Sequence, residues 1–177
     1  IIIIPGANSR TSKRQIYPVF SKVEKGDILL CQMEIPCETV FFALEEAKKQ
    51  GMFTILNPAP AKNIPDNIYQ YIDLIIPNET EAKTISGISC NDEDSYKKTI
   101  EYFCNKGVRE VIITLVEKGA IYGAKKTFAI FSSHPAQIID TTAAGDTFVG
   151  TIAAEVSKGK QVSESVDKAC IAASILF

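Results

Sequence analysis

Short apolar runs alternate with stretches of helical spacing along most of this chain. Ile1–Ile4 is a β-branched run, which predicts a buried strand, and Pro5–Asn8 (PGAN) ends it with a turn. Ser12–Phe20 predicts a short helix, with Pro18 counting against it, and Asp27–Gln32 (DILLCQ) a second buried strand. Glu38–Gln50 places Val40, Phe41, Leu44 and Ala47 at helical spacing behind Pro36, and Gly51 closes it. Met52–Leu56 predicts a strand, and the prolines of Asn57–Ala61 (NPAPA) allow neither element to continue. Pro65–Tyr71 predicts a short helix, Leu74–Ile76 a strand, Asn78–Ser86 and Asp92–Cys104 helices, and Val111–Leu115 a strand. Gly119–Ile130 reads as a hairpin around Gly-Ala-Lys-Lys. Ile138 and Ile139 end one more strand, and helices follow over Thr147–Val156 and from about Ser163 onward.

Strands alternating with helices predict βαβ units: a three-layer α/β fold, with a mainly parallel sheet covered by helices on both faces. Ligands of such sheets gather at the carboxyl ends of the strands. Asn8, Glu34, Asn57, Asn78, Thr114, Asp140 and Asp146 all follow or end predicted strands. Polar residues distant in sequence therefore converge on one edge.

Composition narrows the class. A length of 177 residues with 46% hydrophobic and 23% charged positions suits one domain with a proper core. Nineteen basic against 21 acidic residues, a net charge of −2, without basic runs or aromatic-spaced basic stripes, argue against a nucleic-acid partner. The five cysteines are odd in number and form no CxxC, which predicts free thiols in a reducing cytoplasmic compartment rather than a disulfide framework or zinc site. No apolar run reaches the roughly 18 residues a membrane span needs. The first residue lies inside an apolar run and the last inside an Ala-rich one, so the expectation is one domain over 1–177 that is part of a longer protein.

The stretch richest in chemistry is Ile138–Gly150, IIDTTAAGDTFVG. Ala143, Ala144 and Gly145 keep side chains away from the backbone N–H groups at a helix start, where an anion is favoured. Asp146 beside them is either an ordinary N-cap or a base that takes a hydroxyl proton as the oxygen attacks a phosphoryl group. Asn78 and Glu81 in PNETEA form either a capping box or a carboxylate site for a hard cation near phosphates. Glu34 in QME is either a surface residue at a strand end or an acceptor for polyol hydroxyls. His134, the single histidine, has no Ser or Cys motif beside it, and neither a Walker A sequence nor GxGxxG occurs.

DTTAAGDTF resembles the C-terminal signature of the ribokinase-like (PfkB) sugar kinases, and NPAPA resembles the ribokinase subgroup in particular. The resemblance runs from Pro5 to the end of the chain. It implies ATP-dependent phosphoryl transfer to the 5-hydroxyl of D-ribose, giving ribose 5-phosphate. Asp146 would be the catalytic base and contact the substrate, and Ala143, Ala144 and Gly145 would form the anion hole. Glu34 would contact the sugar. Glu81 would govern Mg²⁺ through water, and Asn78 would approach the nucleotide phosphates. TLVEKGA resembles the nucleotide loop T-L-G-x-x-G, with Thr114 and Gly119 matching and Val116 where the family usually has Gly. Asp140 and the carbonyl of Thr142 match positions that bind an activating K⁺. The N-terminal lid, part of the sheet and the C-terminal adenine loop of the family are absent from this stretch, and the parent is expected to be a homodimer. Alternatives are a kinase for another sugar or a nucleoside, a non-catalytic nucleotide- or sugar-sensing module, or a fragment inactive on its own.

Overall fold

The computed structural model describes residues 4–115, 118–133 and 143–175. Among these residues six strands form one sheet in chain order: β1 (Ile28–Gln32), β2 (Phe53–Asn57), β3 (Leu74–Ile75), β4 (Glu110–Thr114), β5 (Ala120–Ala124) and β6 (Thr127–Phe131). β1 to β4 are parallel, and β5 and β6 complete the sheet as an antiparallel hairpin. The helices are α1 (Lys13–Ile16), α2 (Cys37–Lys49), α3 (Glu79–Ser86), α4 (Glu93–Lys106), α5 (Ala144–Ser157) and α6 (Val162–Ser174).

The continuous apolar runs explain the three layers. Consecutive residues of a strand face opposite sides, so a run without polar gaps must be covered twice. Leu56, Ile75, Val111 and Ile113 pack with Val40 and Leu44 of α2 and with Ile100 and Phe103 of α4. Their neighbours Ile55, Leu74 and Ile112 pack with Phe148 and Ile152 of α5 and with Val166 and Ala169 of α6. Full burial of each Val, Leu, Ile or Phe among them contributes about 1.5–3 kcal/mol. At the amino end of β2 and β3 the sheet is clasped by Asp73, which is 7% exposed. It accepts from Lys48 Nζ at 2.8 Å and from the Thr54 N–H at 3.0 Å. The cavities open at the opposite, carboxyl ends of the strands.

Three expectations change. Ile4 is irregular and 84% exposed rather than the end of a buried strand, while the turn expected at Pro5–Asn8 is present as a 3-10 turn over Gly6–Arg10. Ile1–Ile3 and the Ile138–Ile139 strand lie outside the described residues. Among the described residues β1 is the outermost strand, paired on one side, and it is half-exposed, with Leu30 at 41%. The helix expected from Thr147 starts at Ala144, a change that decides how Asp146 is used.

Candidate functional site

Ala143 turns the chain into α5 with a left-handed backbone (φ 65°, ψ 0°), and it supplies no side-chain cap. The first helical bond runs from the Thr147 N–H to the Ala143 carbonyl at 2.9 Å. The N–H groups of Ala144, Gly145 and Asp146 therefore have no acceptor within the helix. α3 and α4 differ, because Asn78 and Asp92 each accept an N–H of their own first turn. Asp146 is the third residue of α5, not its N-cap. Its exposed carboxylate lies in the first turn, where the helix dipole favours negative charge, and Oδ1 accepts from Gln32 Nε2 of β1 at 2.9 Å.

Across from α5, the Thr114 N–H donates to the Pro77 carbonyl at 3.0 Å, and Asn78 bridges to Thr114. This extends the β3–β4 ladder to the sheet edge. The capping box is formed: the Asn78 N–H donates to Glu81 Oε2 (2.9 Å) and the Glu81 N–H to Asn78 Oδ1 (2.8 Å). Burial pushes the Glu81 carboxyl above the ordinary glutamate range, partly opposed by that N–H. Gly119 follows with φ +100°, and its carbonyl accepts from the Leu115 N–H at 2.8 Å.

Two cavities meet between these elements. The larger, about 250 Å³, is bounded by Thr114, Gly119 and Ser133 on one side and by Phe148 of α5 and Cys170 and Ala173 of α6 on the other. The smaller, about 190 Å³, holds the Glu81 and Asp146 carboxylates together with Asn57. Asn78, Thr114 and Gly145 line both. An extended anion lying over the bare start of α5 would thus have one chamber on each side. In the smaller chamber the donors are carboxylate and carboxamide oxygens. This suits Mg²⁺, which takes few protein oxygens and keeps its waters. Among the described residues no group of three or more His, Cys, Asp or Glu side chains gathers as a metal cage.

Asp146, Ala144, Gly145, Glu81, Asn78, Thr114 and Gly119 are brought together, with Ala143 at the smaller cavity. Glu34 is not. It is exposed, lines neither cavity, and receives a bond from Asn8 Nδ2 at 3.4 Å. Asp140, Thr142, Val116 and His134 lie outside the described residues. Sequence reading passed over Gln32, although it ends a strand two residues before Glu34, and over Phe148, which helical periodicity assigns simply to the core.

The profile of the pfkB family carbohydrate kinases matches residues 1–177. This chain belongs to the pfkB family. A ribokinase of Haemophilus influenzae is 38% identical over 175 residues, covering 99% of this chain and 57% of the relative. A deoxyribokinase of Salmonella typhi is 31% identical over 175 residues, with 98% and 57% covered. The structure of an Arabidopsis thaliana ribokinase complexed with ribose and ATP superposes with a TM-score of 0.87 at 30% identity, covering 98% of this chain and 57% of that one. This pfkB chain thus spans a little over half the length of these relatives. None of its described helices is long and apolar enough to cross a membrane.

Proposed function

We propose that this chain is the catalytic portion of an ATP-dependent sugar kinase, forming one nucleotide- and sugar-binding α/β domain, with D-ribose as acceptor. The observation that carries this reading is the meeting of two cavities at Gly145, over the uncapped start of α5, with the Asp146 carboxylate in one of them. The ribokinase relative and the complex with ribose and ATP support the same choice of substrates.

In this reading the nucleotide occupies the larger chamber, with its phosphates passing Asn78, Thr114 and Gly119 toward α5. Asp146 accepts the proton of the sugar 5-hydroxyl while that oxygen bonds to the γ-phosphorus and the bond to the β–γ bridging oxygen breaks, leaving ADP. The N–H groups around Ala143, Ala144 and Gly145 hold the charge on the transferred phosphoryl oxygens. Mg²⁺, held through water by Glu81, would supply further charge neutralisation on the phosphates. Asp140 and the Thr142 carbonyl are proposed as K⁺ ligands, and Glu34 as a sugar contact once the acceptor is bound.

The test is ADP release by the complete gene product with Mg·ATP and ribose, deoxyribose, fructose or adenosine, with and without K⁺. Selective turnover of ribose, raised by K⁺ and reduced about 100-fold or more in Asp146→Asn, is expected. Preference for deoxyribose, the substrate named by the Salmonella relative, would keep the mechanism and change the acceptor. Nucleotide binding without ADP release would replace the kinase by a sensing module. Near-normal turnover in Asp146→Asn would remove the base from Asp146.

A further inference from the structure

The bond between Gln32 and Asp146 joins residues 114 positions apart, from the end of the outermost strand to the first turn of α5. An ionised carboxylate only accepts hydrogen bonds, so Gln32 must present its NH₂ to Asp146 and turn its carbonyl away. Such a bond to a charged group is shorter and stronger than a neutral one. It engages Oδ1 and leaves Oδ2 to meet a hydroxyl.

The main chain that carries this side chain is anchored just beyond it. Met33, the next residue, is fully buried. The Met33 N–H donates to the Ala59 carbonyl at 2.9 Å, and the Met33 carbonyl accepts from Lys62 Nζ. The backbone on the carboxyl side of Gln32 is therefore anchored on both polar groups, while the strand ladder holds Gln32 opposite Asn57. The other carboxamide at this edge is already used, since Asn57 Nδ2 donates to the Ile76 carbonyl at 2.7 Å. Of these paired strand ends, Gln32 is the one turned to the carboxylate.

We infer that Gln32 is a positioning residue that fixes the rotamer of Asp146, so that one carboxylate oxygen faces the acceptor hydroxyl. The inference rests on the proposed role of Asp146 as base. Orientation losses of this kind cost about 10- to 100-fold in rate.

The experiment uses the complete gene product with Gln32→Met, Gln32→Ala and Gln32→Asn, and each of these in Asp146→Asn. Met keeps the side-chain length and lacks the donor. A positioning role predicts kcat lowered about 10- to 100-fold in both Gln32→Met and Gln32→Ala, with KM for ATP and for ribose within about two-fold of the parent. Gln32→Asn, which retains a donor on a shorter arm, is expected to recover part of the rate. In the Asp146→Asn background Gln32→Met should have no further effect on the residual rate, because the group it positions is gone. Unchanged kcat in Gln32→Met with loss only in Gln32→Ala would assign the side chain to packing and overturn the inference. A raised KM for ribose at constant kcat would make it an acceptor contact, which also overturns it. If Asp146→Asn itself turns over normally, the base assignment fails instead, and the two failures are distinguishable.

Discussion

Replacing Gly119 with alanine is the most direct challenge to the nucleotide chamber. The backbone there has φ +100°, where an L side chain is strained by about 1–2 kcal/mol. A Cβ on that backbone would lie 2.0 Å from the Phe131 carbonyl oxygen and 2.6 Å from the Ser132 carbonyl carbon and the Ser133 nitrogen. All three are main-chain atoms, so no flexible side chain can swing aside, and the end of β6 must move. Overpacking of this kind adds about 1–3 kcal/mol, for a total of about 2–5 kcal/mol. Ser133 and Gly119 face the same 250 Å³ cavity, so the movement that relieves the clash also reshapes the chamber. Urea unfolding of the complete gene product followed by circular dichroism should show the loss at unchanged slope, and the KM for ATP should rise while that for ribose holds. A variant within about 0.5 kcal/mol of the parent, with unaltered KM for ATP, would refute both the close approach and the placing of nucleotide there.

Gly145 makes the opposite case. A Cβ there meets nothing within 4 Å, so Gly145→Ala should fold at least as well, gaining up to about 1 kcal/mol from helix propensity, yet lose turnover because the methyl enters the space shared by both cavities. Melting temperature and ADP release measured on the same sample separate the two effects, and full activity would mean no phosphoryl group passes that point. Glu155 gives the pH dependence. Lys168 and Lys158 each donate to Oε1, at 2.8 and 2.9 Å, and hold its carboxyl down to about 2. A folded-state pKa below the unfolded one stabilises above the unfolded value of 4.5, and the contribution disappears as pH falls toward 2. The melting-temperature gap between the parent and a Lys158→Met/Lys168→Met double variant should be full near pH 6 and close on acidification. A gap independent of pH would mean the lysines act through packing.

The sheet and its covering helices were legible because the strand runs are continuous and short and the helical stretches periodic. Leu74–Ile76 could only be a doubly covered strand, and Glu38–Gln50 only a one-faced helix. Edge status was not legible, since Asp27–Gln32 has the same apolar pattern as an inner strand, and pairing is decided by segments far away. At the site, small residues before Asp146 pointed to an exposed helix start. The left-handed Ala143 that moves this start three residues earlier gives no signal in an Ala-Ala-Gly sequence. The capping box at Asn78 and Glu81 was one of two readings of a single motif, and it is formed in a pair that also lines the smaller cavity. Gln32 was invisible because its partner is 114 residues away. The Lys48–Asp73–Thr54 clasp likewise joins separate elements, 25 and 19 residues apart, which no local pattern pairs.

The sheet also divides the molecule into territories with different freedom to change. The larger cavity takes its apolar floor from Phe148, Cys170 and Ala173, all of the α5–α6 core, whereas among the described residues the buried apolar cluster under α2 and α4 on the opposite face lines neither chamber. Substitutions well separated across a rigid layer act nearly independently. The side covered by α2 and α4 can therefore serve as a stability reserve. Gains made there, by improving the exposed face of α4, can offset destabilising changes that retune the chambers for a different acceptor. A laboratory lineage selected for new sugars should collect its compensating substitutions on that far side.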